Sequence, residues 1–178
     1  VRYISKQCTV LLFSSVAVLA LLTYWALSTA SAPLYYQLGQ VFFNAEGATG
    51  MLYSLPLARW SYSQAVQRDP LVHQHAHYQL GRTHFISGEF VQALDSFADQ
   101  EQYFPGSIPS IHYSVGLVYA YRAKVTGSQQ DWSAAADAFE RFVELLPLNP
   151  WGRVDLAWAY FSLGEYHAMG AVLTPVLD

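Results

Sequence analysis

The chain has 178 residues, one cysteine and few charged side chains. Because Cys8 is the only cysteine, no disulfide can form within the chain. Nine Lys and Arg against thirteen Asp and Glu give a formal net charge of -4. A protein that neutralises nucleic-acid phosphates needs an excess of basic residues. The composition therefore argues against a nucleic-acid partner.

The sequence also lacks the short motifs of common catalytic sites. It contains no G-x-S-x-G nucleophile elbow and no phosphate-binding G-x-x-x-x-G-K-[ST] loop. His73, His75, His77 and His84 lie close together, but only helical residues three or four positions apart share a face. No Cys, Asp or Glu at metal spacing completes a ligand set. We therefore predict a protein that is not an enzyme and has neither a cofactor nor a metal site.

One long apolar segment stands out against this background. Residues 8–27, CTVLLFSSVAVLALLTYWAL, contain no charged residue. As a helix this segment would cover about 30 Å, the thickness of the hydrocarbon core of a bilayer. Arg2 and Lys6 precede it, and the next basic residue is Arg59. This bias favours a cytoplasmic N-terminus.

This pattern predicts a single-pass membrane protein. We expect a cytoplasmic flank at 1–7, followed by a transmembrane anchor or uncleaved signal at 8–30 that contacts the membrane through 8–27. We expect the rest of the chain to be extracytoplasmic, and periplasmic if the source is bacterial. A cleaved signal is the alternative, because Ala30-Ser31-Ala32 has the A-x-A form of a cleavage site. The apolar run exceeds the usual length of such signals, and Pro33 would follow the cut, so we favour the retained anchor.

Beyond this segment, a pattern of small and aromatic residues recurs. In residues 75–105, Leu80-Gly81 precede Phe90, Ala93 and Phe97, and Pro105 follows. The matching pairs in the other units are Leu38-Gly39, Val115-Gly116 and Leu156-Ala157. The units lie near 32–72, 74–107, 109–149 and 150–178, and two polar insertions, NAEGATG and KVTGSQQD, separate the two helices of the first and third units.

This spacing resembles the tetratricopeptide repeat, whose unit has about 34 residues. The resemblance implies an all-α solenoid of about four helix pairs over 32–178, which here would follow one transmembrane helix. His77, His112 and Arg153 stand where the family prefers Trp, and Met169 replaces a small residue of the second helix. We therefore expect looser packing in the fourth unit.

In the tetratricopeptide family the first helix of each unit lines a concave groove that binds a protein or peptide. Carried over position by position, the resemblance implies these groove residues: Tyr36, Phe43, His75, Tyr78, Arg82, Phe85, Tyr113, Leu117, Trp151, Trp158 and Phe161. The groove lacks the Lys, Arg and Asn set with which chaperone-binding members hold a terminal carboxylate. Aromatic side chains are favoured interface anchors, although rings at helical spacing also serve as core.

Two functions follow as hypotheses. The first is a membrane-anchored scaffold that mediates protein–protein interactions in cell-envelope assembly. The second rests on a layout similar to the C-terminal region of O-antigen polymerase or ligase proteins, in which case the chain is a fragment of a multi-pass enzyme whose repeats recruit partners. The apolar end of the sequence, VLTPVLD, also predicts self-association through the last helix.

Overall fold

The computed structural model describes residues 31–49 and 54–177, together with Val18. Within 31–49 and 54–177 the chain forms eight α-helices and no strand, which confirms the predicted all-α architecture for this part. In chain order the helices are α1 (Ser31–Thr49), α2 (Ser54–Arg68), α3 (Ala76–Ile86), α4 (Phe90–Tyr103), α5 (Ile111–Thr126), α6 (Gln129–Leu145), α7 (Pro150–Leu163) and α8 (Tyr166–Leu177).

The helices stack in consecutive pairs. Extensive contacts join each helix to the next one in the chain, and α3 also contacts α5. The pairs are α1–α2, α3–α4, α5–α6 and α7–α8. This is the arrangement of a helical solenoid, in which each pair covers the apolar side of its neighbour.

A glycine lies against an aromatic ring in each of the first three pairs. The contacts are Gly39 with Tyr62, Gly81 with Phe97 and Gly116 with Phe139. The three rings are almost fully buried. A Cβ at Gly81 would lie only 2.6 Å from the Phe97 ring, well inside van der Waals contact. The absence of a side chain at these positions therefore lets the two helices of a pair approach closely enough to bury the ring.

The fourth pair is packed differently. Ala157 occupies the glycine position on α7, and Leu173 occupies the ring position on α8. Met169, one turn before Leu173, stands where α4 and α6 carry a buried alanine. A cleft of about 350 Å³ lies between the two helices and is lined by all three of these residues. A leucine is smaller than the rings of the other pairs, so this position fills less space.

The two polar insertions lie largely inside helices rather than between them. α1 continues to Thr49, and α5 continues to Thr126. Gly127 ends α5 with a left-handed φ of 72°. The side chain of Ser128 then starts α6 by accepting a hydrogen bond from the Asp131 backbone N–H at 3.1 Å. Because an end signal and a start signal are adjacent, the insertion lengthens both helices instead of forming a long loop.

Buried Gln100 on α4 fixes the start of α3. Its Oε1 accepts the backbone N–H of Tyr78 at 2.9 Å, and its Nε2 donates to the Gln74 carbonyl at 2.6 Å and to Ser107 Oγ at 3.1 Å. His75, which precedes α3, makes no side-chain capping bond. Gln100 therefore satisfies a first-turn N–H that a capping residue usually satisfies, and it positions the first turn of α3 through tertiary structure.

An ion pair ties α5 to α6. Arg122 Nε donates to Asp131 Oδ2 at 2.8 Å, and its Nη2 donates to Oδ1 at 2.6 Å. The hydrogen bonds from Arg122 lower the pKa of Asp131, although desolvation opposes the shift. Two parallel bonds between a guanidinium and a carboxylate fix direction as well as distance. The pair therefore holds the turn between these two helices.

The predicted transmembrane helix is not borne out. Within residues 31–49 and 54–177 no helix is both long enough and apolar enough to cross a membrane. α1 is the longest at 19 residues, and Gln37, Gln40 and Asn44 interrupt its apolar sequence. The predicted fold class is therefore wrong where it places a transmembrane helix before the solenoid. The predicted location as a single-pass membrane protein is wrong for the same reason. The predicted segment 8–30 lies outside the described residues except for Val18.

We predict that Gly81→Ala lowers the free energy of unfolding by about 1–2 kcal/mol, because a new methyl group must displace the buried Phe97 ring. This figure is a net loss. Displacing the ring costs up to about 3 kcal/mol, and the higher helix propensity of alanine offsets about 1 kcal/mol of that cost. Gly170→Ala on α8 is the control, since a Cβ there meets nothing within 4 Å. Urea unfolding checks both variants; equal effects would contradict the close contact.

We predict that Asp131→Asn changes the acid sensitivity of the fold. The pKa of Asp131 is lower in the folded chain than its unfolded value of about 3.9, so the stabilisation is complete above about pH 5 and is lost as the pH falls towards the folded pKa. The stability difference between the native chain and the variant should therefore narrow between pH 5 and pH 3. Exposed Asp137→Asn on the same helix is the control. Thermal unfolding at each pH measures the difference. A difference in melting temperature between the native chain and Asp131→Asn that stays constant from pH 5 to pH 3 would contradict the expectation.

Candidate functional site

Two adjoining clefts open along the first helices of the pairs, α3, α5 and α7. The first has a volume of about 460 Å³, and its lining includes Tyr78, Arg82, Phe85, Tyr113 and Leu117. The second has a volume of about 510 Å³, and its lining includes Phe85, Tyr113, Leu117, Trp151 and Trp158. Because Phe85, Tyr113 and Leu117 line both, the two clefts form one surface, which we call the aromatic groove. Seven of the eleven predicted site residues therefore lie on this surface.

Large apolar side chains remain open to solvent on α7, at one end of the aromatic groove. Trp151, Trp158 and Phe161 are 68%, 53% and 49% exposed. The ring centroids of Trp158 and Phe161 are 5.6 Å apart. Phe161, another predicted site residue, lines the smaller cleft between α7 and α8 together with Trp158. The predicted residues of α7 are thus accessible to a ligand.

Three predicted residues line none of these three clefts. The Tyr36 ring stacks on His73, with centroids 4.2 Å apart. His75 is partly buried next to His73, with ring centroids 5.5 Å apart. Phe43 lies under the guanidinium of Arg82. These side chains pack where the first pair meets the second.

The hydroxyl groups of two predicted groove tyrosines form hydrogen bonds to the next repeat. The Tyr78 hydroxyl on α3 lies 3.2 Å from Ser114 Oγ on α5. The Tyr113 hydroxyl on α5 donates to Asp155 Oδ2 on α7 at 2.6 Å. Burial and the Asp155 carboxylate raise the pKa of Tyr113, because both disfavour a phenolate. Each ring therefore forms part of a cleft wall while its hydroxyl group links neighbouring pairs.

The second cleft is also lined by three residues outside the predicted set, Tyr121, Lys124 and Asp155. Tyr121 and Lys124 follow Leu117 by four and seven positions, so they share its face of α5. The positions carried over from the resemblance did not include Tyr121, and Lys124 begins the insertion at which the first helix was expected to end. Asp155 shares a face of α7 with Trp151 and Trp158, whereas its bond from Tyr113 on the preceding repeat has no local sequence signal.

The histidines have structural partners. His77 is 3% exposed, its Nε2 lies 2.9 Å from the Pro70 carbonyl, and its ring stacks on Tyr103. His84 Nδ1 lies 2.6 Å from Glu89 Oε2. Burial and the neighbouring His75 lower the pKa of His73. In the part of the chain that the structure describes, no group of three or more His, Cys, Asp or Glu could hold a metal ion.

The paired helices and the groove along their first helices define a helical repeat fold of the tetratricopeptide type. Two crystal structures of MamA are similar to this chain, each with a TM-score of 0.69 and 18% sequence identity. The likeness covers 83% of this chain and 77% and 72% of those two chains. At this identity it establishes the fold alone. No protein-family model and no curated protein matches the chain. The resemblance to O-antigen polymerase or ligase proteins is not shown by these structures.

We predict that Tyr113→Phe lowers the free energy of unfolding by about 1–2 kcal/mol, because it removes a hydrogen bond to a charged acceptor. Tyr119→Phe on the same helix is the matched control, since the Tyr119 hydroxyl has no hydrogen bond to any residue that the structure describes. Denaturant unfolding of both variants measures the difference. If the two losses are the same, the bond to Asp155 does not stabilise the stacking of the third and fourth pairs.

Proposed function

We propose that the chain is a non-enzymatic scaffold that binds a protein segment or peptide in the aromatic groove. The observation that carries the proposal is the continuity of two clefts, of about 460 and 510 Å³, through the shared residues Phe85, Tyr113 and Leu117. Each volume falls in the range of ligand sites. Two such clefts in a row along α3, α5 and α7 suit an extended chain better than one compact molecule.

The chemistry of the lining supports a protein ligand. Aromatic side chains bury a large area while they lose few rotamers, and Tyr and Trp add a polar group to an apolar surface. Exposed Trp151 and Trp158 offer two such anchors at the α7 end. The tetratricopeptide-type fold adds to this argument, because helical repeats present extended concave binding surfaces.

The proposal concerns partner binding alone. Three further hypotheses stay predictions from the sequence. They are a role in assembly of the cell envelope, the origin of the chain in a larger O-antigen polymerase or ligase protein, and self-association through α8.

We predict that Leu117→Glu abolishes capture of the partner, because it places a carboxylate on the wall that both clefts share. The native chain and the variant are immobilised, exposed to an extract of the source cells, and compared by mass spectrometry of the retained proteins. Val91→Glu on α4 is the matched control, since Val91 is 59% exposed and lines neither cleft.

Trp158→Ala provides a second variant in case Leu117→Glu loses helical circular dichroism. Trp158 is 53% exposed, so its truncation should leave the fold intact while it reduces capture. The proposal is wrong if the native chain, Trp158→Ala and a folded Leu117→Glu all retain the same proteins in equal amounts.

A further inference from the structure

Arg82 lies on the wall of the first cleft and has no anionic partner among the residues that the structure describes. Its guanidinium lies 4.7 Å from the centroid of the Phe43 ring and 5.9 Å from that of Tyr78. Its one hydrogen bond to the residues that the structure describes goes from Nη1 to Gln79 Oε1, at 3.1 Å. No carboxylate whose side chain the structure describes forms an ion pair with it, whereas Arg59 pairs with Glu89 and Arg122 pairs with Asp131.

The first cleft therefore has a positive charge although the chain has a net charge of -4. Arg82 is the one charged residue in its lining, and the other side chains there are aromatic, aliphatic or a serine hydroxyl. In the second cleft, by contrast, Lys124 is accompanied by Asp155. The positive charge that no carboxylate of the same cleft balances thus lies at the α3 end of the aromatic groove.

A guanidinium has five N–H donors, and most of those of Arg82 are not used by the described residues. The two rings hold its plane in place, so a ligand that binds it loses little side-chain freedom. The apolar wall lowers the local dielectric constant, which strengthens a charge-assisted hydrogen bond to a carboxylate. The site is therefore suited to an acidic group rather than to a neutral or basic one.

Next to this cation the cleft offers an apolar space of about 460 Å³, with Phe85 and Leu117 on its walls. A ligand that fills it must present a large apolar side chain within reach of Arg82. We infer that the bound segment is an acidic peptide in which an Asp or Glu pairs with Arg82 while a neighbouring aromatic or large aliphatic residue enters the first cleft. This inference rests on the proposed function and specifies its ligand.

The test uses random peptides displayed on phage and selected on the full chain. Enriched peptides should carry Asp or Glu beside an aromatic or large aliphatic residue. An enriched peptide is then synthesised in its acidic form and with Asn or Gln in place of the acid, and the affinity of both forms is measured by calorimetry. The amide form should bind the native chain about tenfold more weakly or worse, since a charge-assisted bond is lost.

The same two peptides are titrated against Arg82→Gln, which completes a double-mutant cycle. Both forms should bind this variant equally weakly, because the partner of the acid is gone. Arg82→Lys keeps the charge and should restore part of the preference. Arg141→Gln, an exposed arginine of α6 that lines neither cleft, should behave as the native chain does. The comparison of the two peptide forms needs no altered protein, so it tests the preference for an acidic residue even if an Arg82 variant is unstable.

The outcomes separate the two proposals. Peptides that compete for the groove and are weakened by Trp158→Ala, but show no acidic preference, overturn the inference and leave the proposed function standing. An acidic preference that survives in a folded Arg82→Gln also overturns it, because another cation then recognises the acid. If no peptide depends on Trp158 or Leu117, both proposals fail.

Discussion

The contact between a glycine of the first helix and a ring of the second sets the distance between the helices in three of the four pairs. A glycine inside a helix costs about 1 kcal/mol relative to alanine. Here that cost is offset because Tyr62, Phe97 and Phe139 become buried where a Cβ would otherwise stand. The close approach brings the two helices of a pair together. Between pairs, α3 contacts α5, and Tyr113 of α5 bonds to Asp155 of α7, so that the three first helices together form the aromatic groove.

The residues that form the groove also hold the repeats together. The rings of Tyr78 and Tyr113 line the clefts, and their hydroxyl groups bond to Ser114 and Asp155 on the following first helix. Arg82 is similar, because its guanidinium rests on Phe43 of the first pair while it faces the first cleft. The proposed binding surface and the stacking of the pairs therefore use the same side chains.

The sequence allowed the helix pairs to be predicted because Leu80-Gly81 and its counterparts recur at a fixed distance before a ring. The resemblance to the tetratricopeptide repeat also implied Phe85 and Leu117 as groove residues, and both line the two clefts. Helix lengths were missed, because the capping roles of Gly127 and Ser128 were not recognised inside a polar insertion. The partners of Gln100 and Tyr113 lie on other helices, so no local pattern reveals them. The hydropathy of residues 8–27 predicted a membrane span that no described helix provides.

The fourth pair has a leucine where the others have a ring, and this difference affects how the solenoid comes apart. Each pair depends on its neighbours, and a pair that buries less of its side-chain surface opens locally at a lower free energy. Fraying of α7 and α8 would remove Trp151, Trp158 and Asp155 from the second cleft. The first cleft would keep its lining on α3, α4 and α5. Local opening of α7 and α8 would thus shorten the aromatic groove to its first cleft, and a partner bound to α7 would oppose that opening.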